Sequence, residues 1–220
     1  VWFEAERHFL LECMGDRTLK GVKESIRVYK VIDEREIPRF IRRTKGSAAA
    51  LIGRRHELAV LLESVDALRR GRSSVIWIKG DAGVGKSRLV DEFSRLIPRD
   101  VAWHASPCLE YARHVPYYPI WGLITRLAGN RAEDGGCVVA GPEDYRRRMY
   151  EDLRASIEGS PLPVILCIED AQWADETSMD ILKNLHKPGH APTRCLTLVT
   201  SREDKPPDLD ATVIELPELT

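Results

Sequence analysis

The chain has 220 residues, 43% of them hydrophobic, which suffices for one full α/β domain plus a smaller piece and excludes global disorder. Its 33 basic and 34 acidic residues leave a formal charge of -1, so the whole-chain balance makes no case for nucleic acid or an anionic membrane as partner. The five cysteines are odd in number and scattered, with no C-x-x-C pair; this argues against a disulfide framework or a zinc site and for reduced thiols in a cytoplasmic protein.

In chain order, Met14-Gly15-Asp16-Arg17 reads as a turn, and Ser25–Ile32 alternates as a strand with a covered face. Residues 1–32 therefore form one small piece. Residues 33–50, with Pro38, a basic cluster (Arg39, Arg42, Arg43, Lys45) and the bland run Gly46–Ala50, read as a linker. From Leu51 strands and helices alternate. Helical spacing runs over His56–Arg70, Lys86–Leu96, about Ile120–Leu127, Asp144–Ile157 and Glu176–Leu185. Short apolar strands are predicted at Ser74–Lys79, Val101–Ala105, Val164–Ile168, Leu196–Thr200 and Ala211–Leu216, and the Gly-rich stretch 130–142 reads as a surface loop. Fully apolar strands alternating with helices predict a parallel sheet covered on both faces, an α/β three-layer domain over 51–220. The longest apolar stretch, Val164–Ile168, is far too short to span a bilayer, and the N-terminus lacks a signal-peptide pattern. A start without Met and an end on Pro217-Glu218-Leu219-Thr220 read as a piece of a longer protein.

The segment Gly80-Asp81-Ala82-Gly83-Val84-Gly85-Lys86-Ser87 fits G-x-x-x-x-G-K-[ST] at every fixed position, between a strand and an amphipathic helix, as a P-loop requires. Glycines there let backbone N–H groups approach phosphates, and the helix N-terminus faces the same anion. Lys86 is expected at the β- and γ-phosphates of ATP and Ser87 on magnesium, with Arg88 next to them in the nucleotide-binding set. The apolar strand Val164–Ile168 ends in Glu169-Asp170. Ligands of open parallel sheets sit at carboxyl ends of strands, so this pair is expected near the phosphates. Glu169 is assigned to the metal and Asp170 to the attacking water. At the end of another buried strand, Ser201-Arg202 offers a polar pair for the γ-phosphate, with Arg202 distinguishing ATP from ADP or else simply opening a surface loop.

These segments together resemble the ATPase module of STAND-type signalling proteins, which are AAA-related. Ile52-Gly53-Arg54-Arg55-His56-Glu57-Leu58 is similar to the family's opening motif, which implies contact of Ile52, Gly53 and Arg54 with the adenine. Glu169–Asp175 resembles the acidic strand end followed by W-A-D, with Gln172 where many relatives carry His, and Thr200-Ser201-Arg202 resembles the sensor segment. The resemblance implies a P-loop NTPase sheet in which the sensor strand lies between the P-loop and acidic strands. It also implies a winged helical arm beyond Thr220 and ATP acting as a switch. Leu19–Tyr29 is similar to the last hairpin of class III nucleotide cyclase domains, whose catalytic residues would lie upstream of Val1.

Four functions fit the motifs. A slowly hydrolysing signalling ATPase, with cyclase-like and helical or repeat domains as partners in cis and possible self-association, competes with a non-hydrolysing scaffold regulating a cyclase. A DNA-loading AAA protein lacks a basic surface in the sequence, and a small-molecule kinase lacks an acceptor site. The scattered histidines (His104, His114, His186, His190) and Trp77 read as structural, Arg146–Arg148 as a solvated helix face, and Tyr117-Tyr118 as a loop able to meet a partner.

Overall fold

The computed structural model describes residues 9–17, 26–34, 53–128, 142–187, 189 and 191–218, and the chain divides into two units, Val1–Ala50 and Leu51–Thr220. The first unit contains β1 (Phe9–Arg17) paired antiparallel with β2 (Ile26–Glu34). Met14–Arg17, expected as a turn, belongs to β1. The pairing slips between Cys13 and Asp16, an irregularity that Gly15 tolerates and that breaks the alternation a sequence reader looks for. The segment carrying the rest of the cyclase-like resemblance, 18–25, lies outside the described residues.

The second unit runs α1 (Arg55–Arg69), β3 (Ser74–Lys79), α2 (Lys86–Leu96), β4 (Ala102–Pro107), α3 (Tyr118–Leu127), α4 (Pro142–Glu158), β5 (Val164–Glu169), α5 (Glu176–Leu185), β6 (Cys195–Ser201) and β7 (Thr212–Glu215). Five parallel strands lie in the order β4-β5-β6-β3-β7. The order is not sequential, so helices must cross over the faces, and alternate strand residues feed two separate cores. Val75, Trp77, Val164, Leu166, Ile168 and Val199 meet α3, α4 and α5 through Leu123, Leu153 and Ile181. Ile76, Ile78, Ile165, Cys167, Leu196 and Leu198 meet α1 and α2 through Leu61, Leu68, Leu89 and Phe93. Every residue of β6 is buried, as expected of a central strand with both faces covered, including the hydroxyl residues Thr197, Thr200 and Ser201.

Each fully buried Leu or Phe contributes roughly 1.5–3 kcal/mol, so Phe93→Ala, which removes the ring packed edge-on to Trp103, costs about 3–5 kcal/mol. The edge strand β7 buries only Ile214 of its four residues. Among the described residues no helix is long and apolar enough to cross a membrane. The expected strand-and-helix alternation stands, with ends displaced by at most two residues: β4 runs on to Pro107 and α3 starts at Tyr118.

Candidate functional site

β3 ends at Lys79 and α2 begins at Lys86, so Gly80–Gly85 is the whole connection. Gly83 (φ 84°) and Gly85 (φ 98°) lie in the left-handed region, where an L side chain is strained. Gly80 is needed for space: a Cβ there would stand 2.8 Å from Val84 Cγ2 and 3.0 Å from the Leu216 carbonyl oxygen. Its N–H donates to the Ser201 carbonyl at 3.2 Å, which ties the start of the loop to the end of β6. Gly85 caps α2 without a side-chain hydrogen bond, so no side chain competes for the helix's first N–H groups. This donor set, with a glycine cradle that side chains cannot fill, fits a phosphate chain.

Lys86 is buried and its Nζ donates to the carbonyls of Gly80 at 2.5 Å and Asp81 at 2.8 Å. Burial lowers its pKa, with Arg202 adding to the fall and Asp170 and Asp81 opposing it. Asp81 and Ala82 are exposed in the loop, Val84 is buried under it, and Ser87 and Arg88 stand exposed in the first turn of α2.

The acidic strand end lies two strands away in the sheet, with β6 between. Glu169 and Asp170 are both half-buried at the tip of β5. The Glu169 carbonyl accepts the Cys108 N–H at 2.7 Å. Asp170 adopts a left-handed conformation (φ 59°), and its N–H donates to Thr200 Oγ1 at 3.0 Å. A 3₁₀ turn over Ala171–Trp173 follows, in which the Gln172 amide donates to Asp170 Oδ1 at 3.4 Å and accepts the Arg202 N–H at 3.2 Å. The structure thus brings Asp170 and Arg202 within electrostatic reach of Lys86 at the carboxyl end of the sheet.

Of the opening-motif residues expected at the adenine, the structure describes Gly53 and Arg54. Ile52 lies outside the described residues, and Gly53 turns with φ 76°. Arg54 is buried, and its guanidinium donates to Glu57 Oε1 at 3.1 Å, to the Val84 carbonyl at 3.4 Å and to the Pro217 carbonyl. Its charge is therefore occupied in joining the P-loop to the segment leaving β7.

Asp175 caps α5 through the Ser178 N–H at 2.9 Å, accepts Ser178 Oγ–H at 2.6 Å and also accepts the Tyr117 N–H at 3.1 Å. Tyr117, read from sequence as a partner contact, is instead buried, with its ring 5.1 Å from that of Tyr145. A left-handed backbone (φ 64°) held by Asp175 turns it inward, and no local pattern announces that. Trp77 is buried and donates to the Glu203 carbonyl at 3.0 Å, and Trp173 packs at the core's edge with the Arg113 guanidinium 5.9 Å from its ring centroid. His186 Nε2 lies 2.7 Å from Thr197 Oγ1, and His190 lies outside the described residues. Arg147 and Arg148 pair with Asp144, Glu151 and Asp152 along α4. Thr200, Gln172 and Leu216 support the site without having been assigned a role in it: the sequence named Thr200 and Gln172 only within the sensor-like and W-A-D segments and Leu216 only as a strand end, because their partners lie across strands.

Two concavities of about 520 and 510 Å³ lie elsewhere, one between α4 and α5 and one at the opposite end of the sheet beside Asp100 and Arg194. The first is lined by Arg146, Arg147 and Lys187 beside Glu143 and Asp144 but has no glycine loop, so the P-loop cradle is the candidate site.

A family model described as an AAA ATPase domain matches residues 50–198. An uncharacterized protein of Rhizobium meliloti (strain 1021) is 24% identical over 81% of this chain, which spans about a fifth (21%) of that protein's length. Among solved structures, Cdc6p from Pyrobaculum aerophilum superposes with a TM-score of 0.58 at 14% identity, over 79% of this chain and 47% of that one. The Aeropyrum pernix Orc1 protein in complex with DNA gives a TM-score of 0.50 at 18% identity, over 77% of this chain and 46% of that one. At these identities the structural likeness establishes the fold, a P-loop NTPase three-layer α/β/α domain.

Proposed function

Since the chain belongs to the AAA ATPase domain family, we propose that its larger unit binds ATP with magnesium and hydrolyses it slowly, as a nucleotide-controlled switch inside a longer regulatory protein. The observation that carries this reading is the cradle itself. A buried lysine lies against a glycine loop whose helix N-terminus has no side-chain cap, and an aspartate and an arginine from two neighbouring strand ends act electrostatically on that lysine.

In this reading Lys86 leaves its own loop carbonyls to bind the β- and γ-phosphates, and the N–H groups of Gly80–Ser87 line the phosphate chain. Ser87 and Glu169 hold magnesium, which neutralises phosphate charge when bound. Asp170 orients a water, and Arg202 answers to the γ-phosphate. Gly53 and Ile52 border the adenine, while Arg54 sets the position of the loop. A γ-phosphate that orders two strand ends, and releases them after hydrolysis, suits a switch. The longer Rhizobium relative supports a multidomain setting, and the hairpin of the first unit supports a cyclase-like neighbour upstream. The Orc1 protein's complex with DNA does not redirect this reading, because the chain carries no net positive charge.

The test is MgATP turnover and binding by the chain beside Lys86→Ala and Asp170→Ala. Turnover lost in both, with binding lost only in Lys86→Ala, supports a hydrolysing switch. Binding without turnover favours a non-hydrolysing scaffold that regulates a cyclase domain in cis. Binding unaffected by Lys86→Ala sinks the P-loop assignment.

A further inference from the structure

The side-chain amide of Gln172 links two strand ends that are far apart in sequence. Its Nε2 donates to Asp170 Oδ1 at 3.4 Å, and its Oε1 accepts the backbone N–H of Arg202 at 3.2 Å. Only one orientation of the amide satisfies both partners, because a carboxylate needs a donor and an N–H needs an acceptor. The backbone that carries this side chain is held, since its 3₁₀ turn closes with the Trp173 N–H on the Asp170 carbonyl at 2.9 Å. The backbone beneath is pinned as well, by the Asp170 N–H on Thr200 Oγ1. The two groups joined by the amide belong to the residues whose charges act on Lys86 with opposite sign.

We propose that Gln172 is a positioning residue: its amide makes the Asp170 carboxylate and the Arg202 backbone one unit, so that both strand ends respond together to the terminal phosphate of the nucleotide. This rests on the ATP-binding reading above and adds to it the device that makes triphosphate distinguishable from diphosphate. Without the amide the Asp170 carboxylate loses its side-chain donor, and the Arg202 N–H loses its acceptor. Each end then takes its own orientation, and the γ-phosphate must order both. A diphosphate, which does not reach them, is bound the same either way.

The experiment measures the affinities of MgADP and of the magnesium complex of β,γ-imido-ATP for the wild-type chain and three variants, by competition with a fluorescent ADP. Gln172→Leu removes both bonds, Gln172→Glu keeps the acceptor but loses the donor, and Gln172→His restores one donor and one acceptor on a neutral ring. The wild type is expected to prefer the triphosphate. Gln172→Leu and Gln172→Glu should each reduce that preference about tenfold, the scale of one charged hydrogen bond, with MgADP affinity unchanged. Gln172→His should recover most of it. A preference retained in Gln172→Leu overturns the proposal, as does a histidine variant that behaves like leucine, which would mean packing alone. A wild type that binds both nucleotides equally overturns the proposal and leaves nucleotide binding intact, whereas a wild type that binds neither overturns the ATP-binding reading and this inference with it.

Discussion

Asp170, just past the end of β5, and Thr200 of β6 are joined by a hydrogen bond in which the Asp170 backbone N–H donates to the threonine hydroxyl oxygen at 3.0 Å. Thr200 is 1% exposed, so it has almost no water to accept from instead. The bond also stabilises the left-handed backbone of Asp170, which a non-glycine residue adopts only when its surroundings require it.

Thr200→Val keeps the shape and removes the acceptor. The Asp170 N–H then lacks its partner at about 1–3 kcal/mol, and the freed acidic end loses its aim. Urea denaturation should show that loss of stability, and Thr200→Ser, which keeps a hydroxyl, should recover most of it.

Two loop glycines should fail for different reasons. Gly85→Ala has open space around its Cβ but a φ of 98°, so its cost is strain of roughly 1–2 kcal/mol. Gly80→Ala instead collides with Val84 and with the backbone of Leu216, so the loop or the segment after β7 must move. Nucleotide affinity should fall by more than about tenfold in Gly80→Ala, and hydrogen exchange should rise around Leu216 in that variant only.

Asp175 holds both the N-terminus of α5 and the Tyr117 backbone. Asp175→Ala loses a helix cap and leaves the Tyr117 N–H without its acceptor, together about 2–4 kcal/mol. Differential scanning calorimetry of this variant beside Tyr117→Phe tests the assignment. The phenylalanine variant retains the backbone bond and loses only the hydroxyl's bond with Thr177, so it should lose no more than about 1 kcal/mol.

His186 gives a pH dependence with a definite sign. Burial pushes its pKa down to about 4 from an ordinary 6.5. Between those values the unfolded chain takes up a proton and the folded one does not. This contribution is therefore fully present above pH 6.5 and is lost as pH falls toward 4, by at most about 3 kcal/mol because the ring is only half-buried. Stability measured from pH 7 to pH 4 should decline less steeply in His186→Gln than in wild type.

Burial holds the Cys108 and Cys195 thiols near pKa 12, far from the reactive thiolate. Alkylation of these two cysteines by iodoacetamide at pH 8 should follow global unfolding and accelerate with added urea. Rapid labelling of either in the native chain would contradict their burial.

The sequence by itself determined the repeating units and the place of the candidate site. Period and apolarity marked β3, β5, β6 and the helices between them, because those patterns follow from local geometry. G-x-x-x-x-G-K-S marked the cradle, because phosphate binding needs particular backbone conformations at fixed spacing. Strand order is a different matter. No periodicity says that β6 lies between β3 and β5; that expectation came from the family resemblance, and packing is what realises it. Only this order brings Thr200 to Asp170 and Arg202 to Gln172 across thirty positions of chain, and Arg54 to Pro217 across 163. The same holds for Tyr117, turned inward by a carboxylate 58 residues away. Such partners are chosen by which buried donors and acceptors the assembled sheet leaves to be satisfied, and that quantity exists only once the layers have closed.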